Sequence, residues 1–185
     1  MAVVKKAKKK DIVSIISPKV FGEKEVGEVP TGETKNLIGK KATFNLVEVL
    51  PEYGKYYTKV TFRITNVDDG KAFTDFDSME LMRDYISRMV VRRVKRIDAI
   101  QDLTTKDGMK IRVKNLATVS RKASSKVSKA VRVQLLSMVS GAVKDKSFEE
   151  VLSDIFSDKM KRDFTRELRR IYPLRNLEFR KIEAR

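Results

Sequence analysis

The chain has no cysteine, no histidine and no tryptophan. Without cysteine there is no disulfide framework, no thiolate nucleophile and no thiolate zinc site. Without histidine there is no imidazole base and no imidazole metal ligand. Together these absences remove most of the usual catalytic chemistry. What remains is carboxylate–magnesium chemistry and a lysine nucleophile. No apolar run reaches the length of about 18 residues that a membrane span needs. The opening residues, MAVVKKAKKKD, carry charge but no apolar segment long enough for a signal peptide. The cytoplasm is therefore the expected location. An anionic membrane surface is a weaker fit, because the charge is spread along the chain rather than set on one amphipathic helix.

What is abundant is positive charge. Forty-one Lys and Arg face 25 Asp and Glu in 185 residues, a formal net charge of +16. Such a surface repels itself unless a polyanion neutralises it. A nucleic-acid backbone suits that role, because each cation placed against a phosphate releases a condensed counterion. The charge is also polarised. Residues 83–96 hold six cations and one acid, and 106–132 hold nine cations and one acid. Residues 145–158 reverse the balance, with five acids and one lysine. For any single cation a solvated face explains as much as a phosphate contact does; the clusters together point to a polyanion.

Residues 1–36 read as a basic arm followed by an extended segment, the arm carrying Lys5, Lys6, Lys8, Lys9 and Lys10. Ile12, Ile15, Val20 and Phe21 are the expected anchors of the extended part. Residues 37–185 read as a single α+β domain. From Lys40 the pattern turns to strand, with one face of 47–50 apolar. Val60, Phe62 and Ile64 then alternate with Lys59, Thr61, Arg63 and Thr65, predicting a strand with one buried face. Asp69-Gly70 marks a hairpin, and KAFTDF returns as a third strand. Asp77 and Glu80 have capping-box spacing. They predict a helix whose stripe is Met79, Met82, Ile86, Met89 and Val90 and whose end is the RRVKR run at 92–96. A second hairpin turns at Lys106-Asp107-Gly108, with Ile111 and Val113 inward and Lys110, Arg112 and Lys114 outward. Val127, Val131, Leu135, Met138 and Ala142 predict a helix stripe opposite Lys122, Lys126 and Lys129. Ser147 and Glu150 form a second capping box for one long helix stopped by Pro173. Leu174, Leu177, Phe179 and Ile182 predict a last strand joining the earlier sheet. The expected fold class is α+β: an antiparallel sheet or small β-barrel with helices packed outside it.

Two chemical alternatives need weighing. Asp75 with Asp77, or Asp98 with Asp102, are spaced to share a strand face and hold Mg²⁺ for phosphodiester chemistry. Helix capping and pairing with neighbouring Arg explain the same carboxylates, and no phosphate-cradling G-x-x-x-x-G-K-[ST] loop exists. No catalytic residue, metal ligand or cofactor is therefore assigned. Tyr53, Tyr56 and Tyr57 in the first hairpin loop are candidates to stack bases, or they plug the end of the sheet.

The run RDYISRMVVRRVKRIDAIQDLTTKDGMKIRVKNLA, residues 83–117, resembles the central block of the eS1 (S3Ae) family of archaeal and eukaryotic small-subunit ribosomal proteins. SPKVFGEKEVGEVP, residues 17–30, and IYPLRNLEFRKIEA, residues 171–184, resemble its opening and closing segments. The resemblance implies a non-enzymatic structural protein on the platform of the small subunit, near the mRNA exit. Its implied partners are small-subunit rRNA, neighbouring small-subunit ribosomal proteins and mRNA near the exit site. Eukaryotic members are longer at the C-terminus, so an end at Arg185 suggests an archaeal member. The expected rRNA contacts are the arm lysines; Arg88, Arg92, Arg93, Lys95 and Arg96; Lys106, Lys110, Arg112 and Lys114; and Arg121, Lys122 and Lys126. These would position the RNA backbone rather than read sequence. A non-ribosomal RNA-binding translation regulator would share the same charge logic.

Overall fold

The computed structural model describes residues 11–32, 34–50, 55–119 and 123–185. These fall into two compact units, one running to Lys55 and including Val60–Asp77, the other comprising Tyr56–Lys59 and Ser78–Arg185. The fold is α+β, with eight strands in an open sheet among the described residues.

The first unit is built from β1 (Asp11–Ile16), β2 (Glu25–Thr31), β3 (Lys41–Asn45), most of β4 (Thr58–Asp68) and the first part of β5 (Lys71–Leu81). β1 pairs antiparallel with β2 and parallel with β5. The anchors of this segment differ from expectation. Ile15 and Phe21 are buried, but Ile12 is 65% exposed and Val13 takes its place. Strand alternation explains the exchange: Val13 and Ile15 share the inner face, and Ile12 lies on the other. Val60, Phe62 and Ile64 are buried as the alternation predicts. Val13, Ile15, Leu37, Ile64 and Ala72 form one apolar cluster. Phe62 packs against Phe21 and Phe44, at centroid distances of 5.3 and 5.9 Å. A Cβ on Gly27 would stand 3.0 Å from Phe44, so β2 carries glycine where that ring arrives. The Asp69-Gly70 hairpin has φ of 46° and 75°, positive at both positions as a two-residue turn of that twist requires.

Two local readings are corrected here. Residues 46–49 are one helical turn, α1 (Leu46–Val49), because Asn45 and Glu48 form a capping box that strand reading overlooks. Asp77 does not cap a helix. β5 continues through Leu81, because Ser78–Glu80 pair with β8, and Met79 and Leu81 are buried at strand period. A partner strand a hundred residues away in sequence outweighs the local helical pattern.

The second unit is built on β8 (Leu174–Ala184), β7 (Lys110–Val119) and β6 (Lys95–Thr104), which follow the end of β5 in that order through antiparallel ladders. Ile97, Ala99, Ile111, Val113, Ala117 and Ile182 are almost fully buried. The helix α3 (Ser125–Lys144) packs on β6, and α5 (Lys159–Leu168) on β8. Fully burying one such aliphatic side chain is worth about 2 kcal/mol. α3 buries Val131, Leu135, Val139 and Val143. Its stripe runs along the i+4 ridge rather than through Met138 and Ala142. The expected single helix after Ser147 is two, α4 (Phe148–Phe156) and α5, broken where Asp158 takes a left-handed φ of 57°. Aspartate tolerates that conformation, which continuous apolar periodicity conceals. The Ser147–Glu150 capping box forms as expected.

Candidate nucleic-acid interface

The helix predicted to run from Asp77 to Arg96 is reduced to α2 (Arg83–Met89). Its expected cationic end unwinds into a turn. Arg88 stays in the last helical turn, Arg92 and Arg93 lie in the turn itself, and Lys95 and Arg96 open β6. Arg93 adopts a left-handed φ of 68°. For a residue with a Cβ this costs about 1 kcal/mol, which the surrounding structure must offset. Arg88, Arg92 and Arg93 are exposed, and none meets a carboxylate among the described residues. Lys95 is used internally: its ammonium donates to the Ala123 carbonyl at 3.0 Å and ties the start of β6 to the approach of α3. That bond brings the α2–β6 turn and the beginning of α3, with exposed Lys126, to the same end of the β6–β7 hairpin.

The middle of the hairpin is different. Along its outward face, cations alternate with acids across strands. Arg112 donates two bonds to Asp102, at 2.6 and 2.7 Å. Lys114 donates to Glu183 at 3.2 Å, and Lys181 bridges Glu183 and Glu80 at 2.9 and 3.1 Å. Arg96 makes a two-pronged bond to Asp98 at 2.8 and 2.9 Å. The Arg112 fork holds Asp102 below the usual carboxylate range, and the bond from Lys181, followed by that from Lys114, does the same for Glu183. Arg96, Arg112 and Lys114 thus have their charge answered within the chain. Of the carboxylates weighed as alternative metal ligands, Asp98 and Asp102 serve these pairs instead, and Asp77 is held by Lys41 and Arg63. No group of three acids able to hold a metal ion occurs among the described residues.

At the hairpin tip Lys106 and Lys110 are exposed and again meet no carboxylate among the described residues. The tip is fixed in place. Asp107 accepts the Phe148 backbone N–H at 2.8 Å, and Lys106 donates its own N–H to the Lys146 carbonyl at 3.1 Å. The two groups of open cations are thereby held at opposite ends of a ten-residue ladder, about 30 Å apart. Beyond the tip, α4 begins with Glu149 and Glu150, both exposed. Lys5, Lys6, Lys8, Lys9, Lys10, Arg121 and Lys122, together with Tyr53, lie outside the described residues.

Sequence reasoning missed a buried polar cluster that supports α2. Tyr85 lies on α2 and stacks on Tyr57, with ring centroids 3.8 Å apart and planes 9° from parallel. The Tyr85 hydroxyl donates to Glu178 at 3.2 Å, and Lys161 donates to the same oxygen at 2.6 Å. Burial pushes the Glu178 carboxyl up, and burial followed by the Glu178 charge pushes both tyrosine hydroxyls up. Glu178 stands in β8 beside Leu177 and Phe179, where alternation alone reads as an apolar strand end. Its pairing with Lys161 crosses from strand to helix and leaves no local signature.

Comparison with known proteins places these features. A family model described as the ribosomal S3Ae family matches residues 1–185. The small ribosomal subunit protein eS1 of Methanopyrus kandleri is 34% identical, over 92% of this chain and 83% of its own length. That of Sulfurisphaera tokodaii is 33% identical, over 98% and 94% respectively. That of Methanoculleus marisnigri is 36% identical, over 89% and 83%.

Proposed function

This chain belongs to the ribosomal S3Ae family, and from that premise we propose that it holds folded rRNA in the small subunit by neutralising phosphates with exposed cations. The family is one of structural ribosomal proteins, so the role lies in translation and not in catalysis. The observation that carries the RNA reading is the contrast in charge use. The chain satisfies Arg96, Arg112 and Lys114 from within, yet leaves Arg88, Arg92, Arg93, Lys106, Lys110 and Lys126 exposed without acid partners among the described residues. Uncompensated cations held on rigid elements repel one another unless a polyanion sits against them. Arg guanidinium groups also match phosphate geometry by paired N–H bonds. The arm lysines and Arg121 and Lys122 extend the same surface chemistry in sequence. The site in the assembled particle is the platform near the mRNA exit. There the acidic start of α4, which RNA would reject, faces a neighbouring ribosomal protein.

Sucrose-gradient fractionation with quantitative mass spectrometry, before and after a high-salt wash, tests the assignment. One copy per small subunit, resistant to moderate salt, is the expected result. Substoichiometric or salt-labile association would instead fit a translation regulator.

A further inference from the structure

The two groups of open cations stand at opposite ends of the β6–β7 ladder, and α3 runs the distance between them. At one end Lys95 donates to the Ala123 carbonyl, just before the helix begins. At the other end the hairpin tip donates the Lys106 N–H to the Lys146 carbonyl, just after the helix ends. Twenty helical residues rise about 30 Å, which matches the ladder. The two attachments, with the packing on β6, hold α3 alongside that strand.

The helix carries four cations, Lys126, Lys129, Arg132 and Lys144, and no acid. All four are exposed, and none meets a carboxylate among the described residues. A solvated helix of this length gains from charges of alternating sign four residues apart, and α3 forgoes that gain. Lys144 suits the negative end of the helix dipole. Lys126 does not, because it stands in the first turn, where the dipole disfavours a cation. The free protein therefore bears a local cost that no contact among the described residues offsets. Lys126 and Lys144 are about five turns apart and so project from one side of the helix. Between them that side presents Ala130, Val133, Ser137 and Gly141, all exposed and uncharged. Lys129 and Arg132 flank it.

We infer that the outer side of α3 is the bed of an RNA double helix, which lies along it and joins the two end groups into one contact about 30 Å long. This rests on the rRNA-binding reading and adds to it the strandedness of the ligand and three further contacts, Lys129, Arg132 and Lys144. A double helix fits better than an unpaired strand because of what α3 lacks. It has no aromatic residue on which a splayed base could stack. A rigid rod with cations at its ends and uncharged residues between suits phosphate and 2′-hydroxyl contacts across a shallow minor groove, the way paired RNA is held by shape. The exposed acids Asp145, Glu149 and Glu150 follow directly and mark where the contact ends.

The test uses the full chain and two fluorescently labelled RNAs, with affinity read by anisotropy over a range of salt. One is a blunt duplex of about 16 base pairs, the span of a double-strand-binding domain, and the other an oligouridine of equal length. Lys129→Gln, Arg132→Gln and Lys144→Gln combined should weaken duplex binding about tenfold or more. The slope of log affinity against log salt should flatten by about 0.9 for each cation removed. Oligouridine binding should stay at the parent value. Lys126→Glu should also weaken duplex binding, yet raise the melting temperature of the free protein by about 2 °C, since it relieves the clash with the dipole. That opposition of sign separates an RNA contact from a residue that supports the fold. Parent-like duplex binding by the triple variant, or an equal loss of both RNAs, overturns the α3 bed. So does a Lys126→Glu protein that melts no higher than the parent. Arg92→Glu combined with Arg93→Glu, in the same assay, keeps the two readings apart. If that variant loses RNA binding, the rRNA reading survives a failure at α3. If it and the triple variant both bind as the parent does, both readings fall.

Discussion

Arg92 and Arg112 are the same residue type, twenty positions apart in one basic stretch, yet the fold uses them in opposite ways. Arg112 sits mid-strand in β7 with its fork closed on Asp102, a carboxylate supplied by the paired strand β6. Arg92 sits in the turn after α2 with no acid in reach among the described residues. The difference lies in what each element places opposite it. A ladder brings residues from distant sequence into register, so acids on β6 and β8 meet the cations of β7, and Glu80 at the end of β5 meets Lys181 of β8. A turn has no such partner strand, and its cations stay available. Cation density along a sequence is therefore a poor guide to which cations bind RNA, whereas the secondary structure carrying them is a better one.

The largest expected effect breaks the comparison from its open side. Replacing Arg88, Arg92 and Arg93 together by Glu should abolish incorporation into small subunits, measured by co-sedimentation. Circular dichroism and the melting temperature should stay at the parent values, because none of the three side chains makes an ion pair among the described residues. Normal incorporation would show that the binding face lies elsewhere.

Breaking the supported side should act on stability instead. Glu178→Ala leaves Lys161 partly buried without its acid and removes the acceptor of Tyr85. A loss of about 3 kcal/mol is expected, seen as a melting temperature lower by several degrees. An unchanged melting curve would mean that the cluster contributes nothing net.

Asp77 sharpens the comparison with a buried case in the first unit. Its carboxylate is 9% exposed and accepts from Lys41 at 2.7 Å and Arg63 at 2.6 Å. Burial alone would raise its pKa, but the two cationic donors outweigh burial and lower it. A depressed carboxyl contributes stability above its unfolded pKa and loses it as pH falls through the folded value. Both cations are half exposed, so the contribution is about 1 kcal/mol. Asp77→Asn should be less stable than the parent near neutral pH, and the gap should close in acid. A gap that persists unchanged into acid would assign the difference to packing rather than charge.

The smallest effect is the most direct measure of the contrast. Arg92→Ala should reduce the salt dependence of RNA binding by about one phosphate, a change of 0.7 to 0.9 in the slope of log affinity against log salt. Arg112→Ala should leave that slope unchanged, since its charge is already answered by Asp102. Equal slopes for the two variants would erase the distinction.

Several elements were legible because their signal is local. The β4 alternation, the Asp69-Gly70 turn, the Lys106–Gly108 hairpin and the Ser147–Glu150 cap all depend on residues a few positions apart, and all stand in the structure. The reading at the end of β5 changed because it depended on distant partners. Asp77 has helix-capping spacing but is claimed by Lys41 and Arg63 from other strands, and Ser78–Glu80 by β8. The candidate interface divides in the same way. Its charge was visible in composition, but which cations remain open was not, because neutralisation runs across ladders.

The sequence by itself determined the chemistry available to this protein. With no histidine or cysteine and a net charge of +16, it points to a polyanion and away from most catalysis. The long matched segments also carry the family. Tertiary structure alone decided where that charge is free to act. Coulombic pairing falls off over a few ångströms, and only folding brings Asp102 to Arg112 or Glu183 to Lys114 while leaving Arg92 and Arg93 in a turn with no strand beside them.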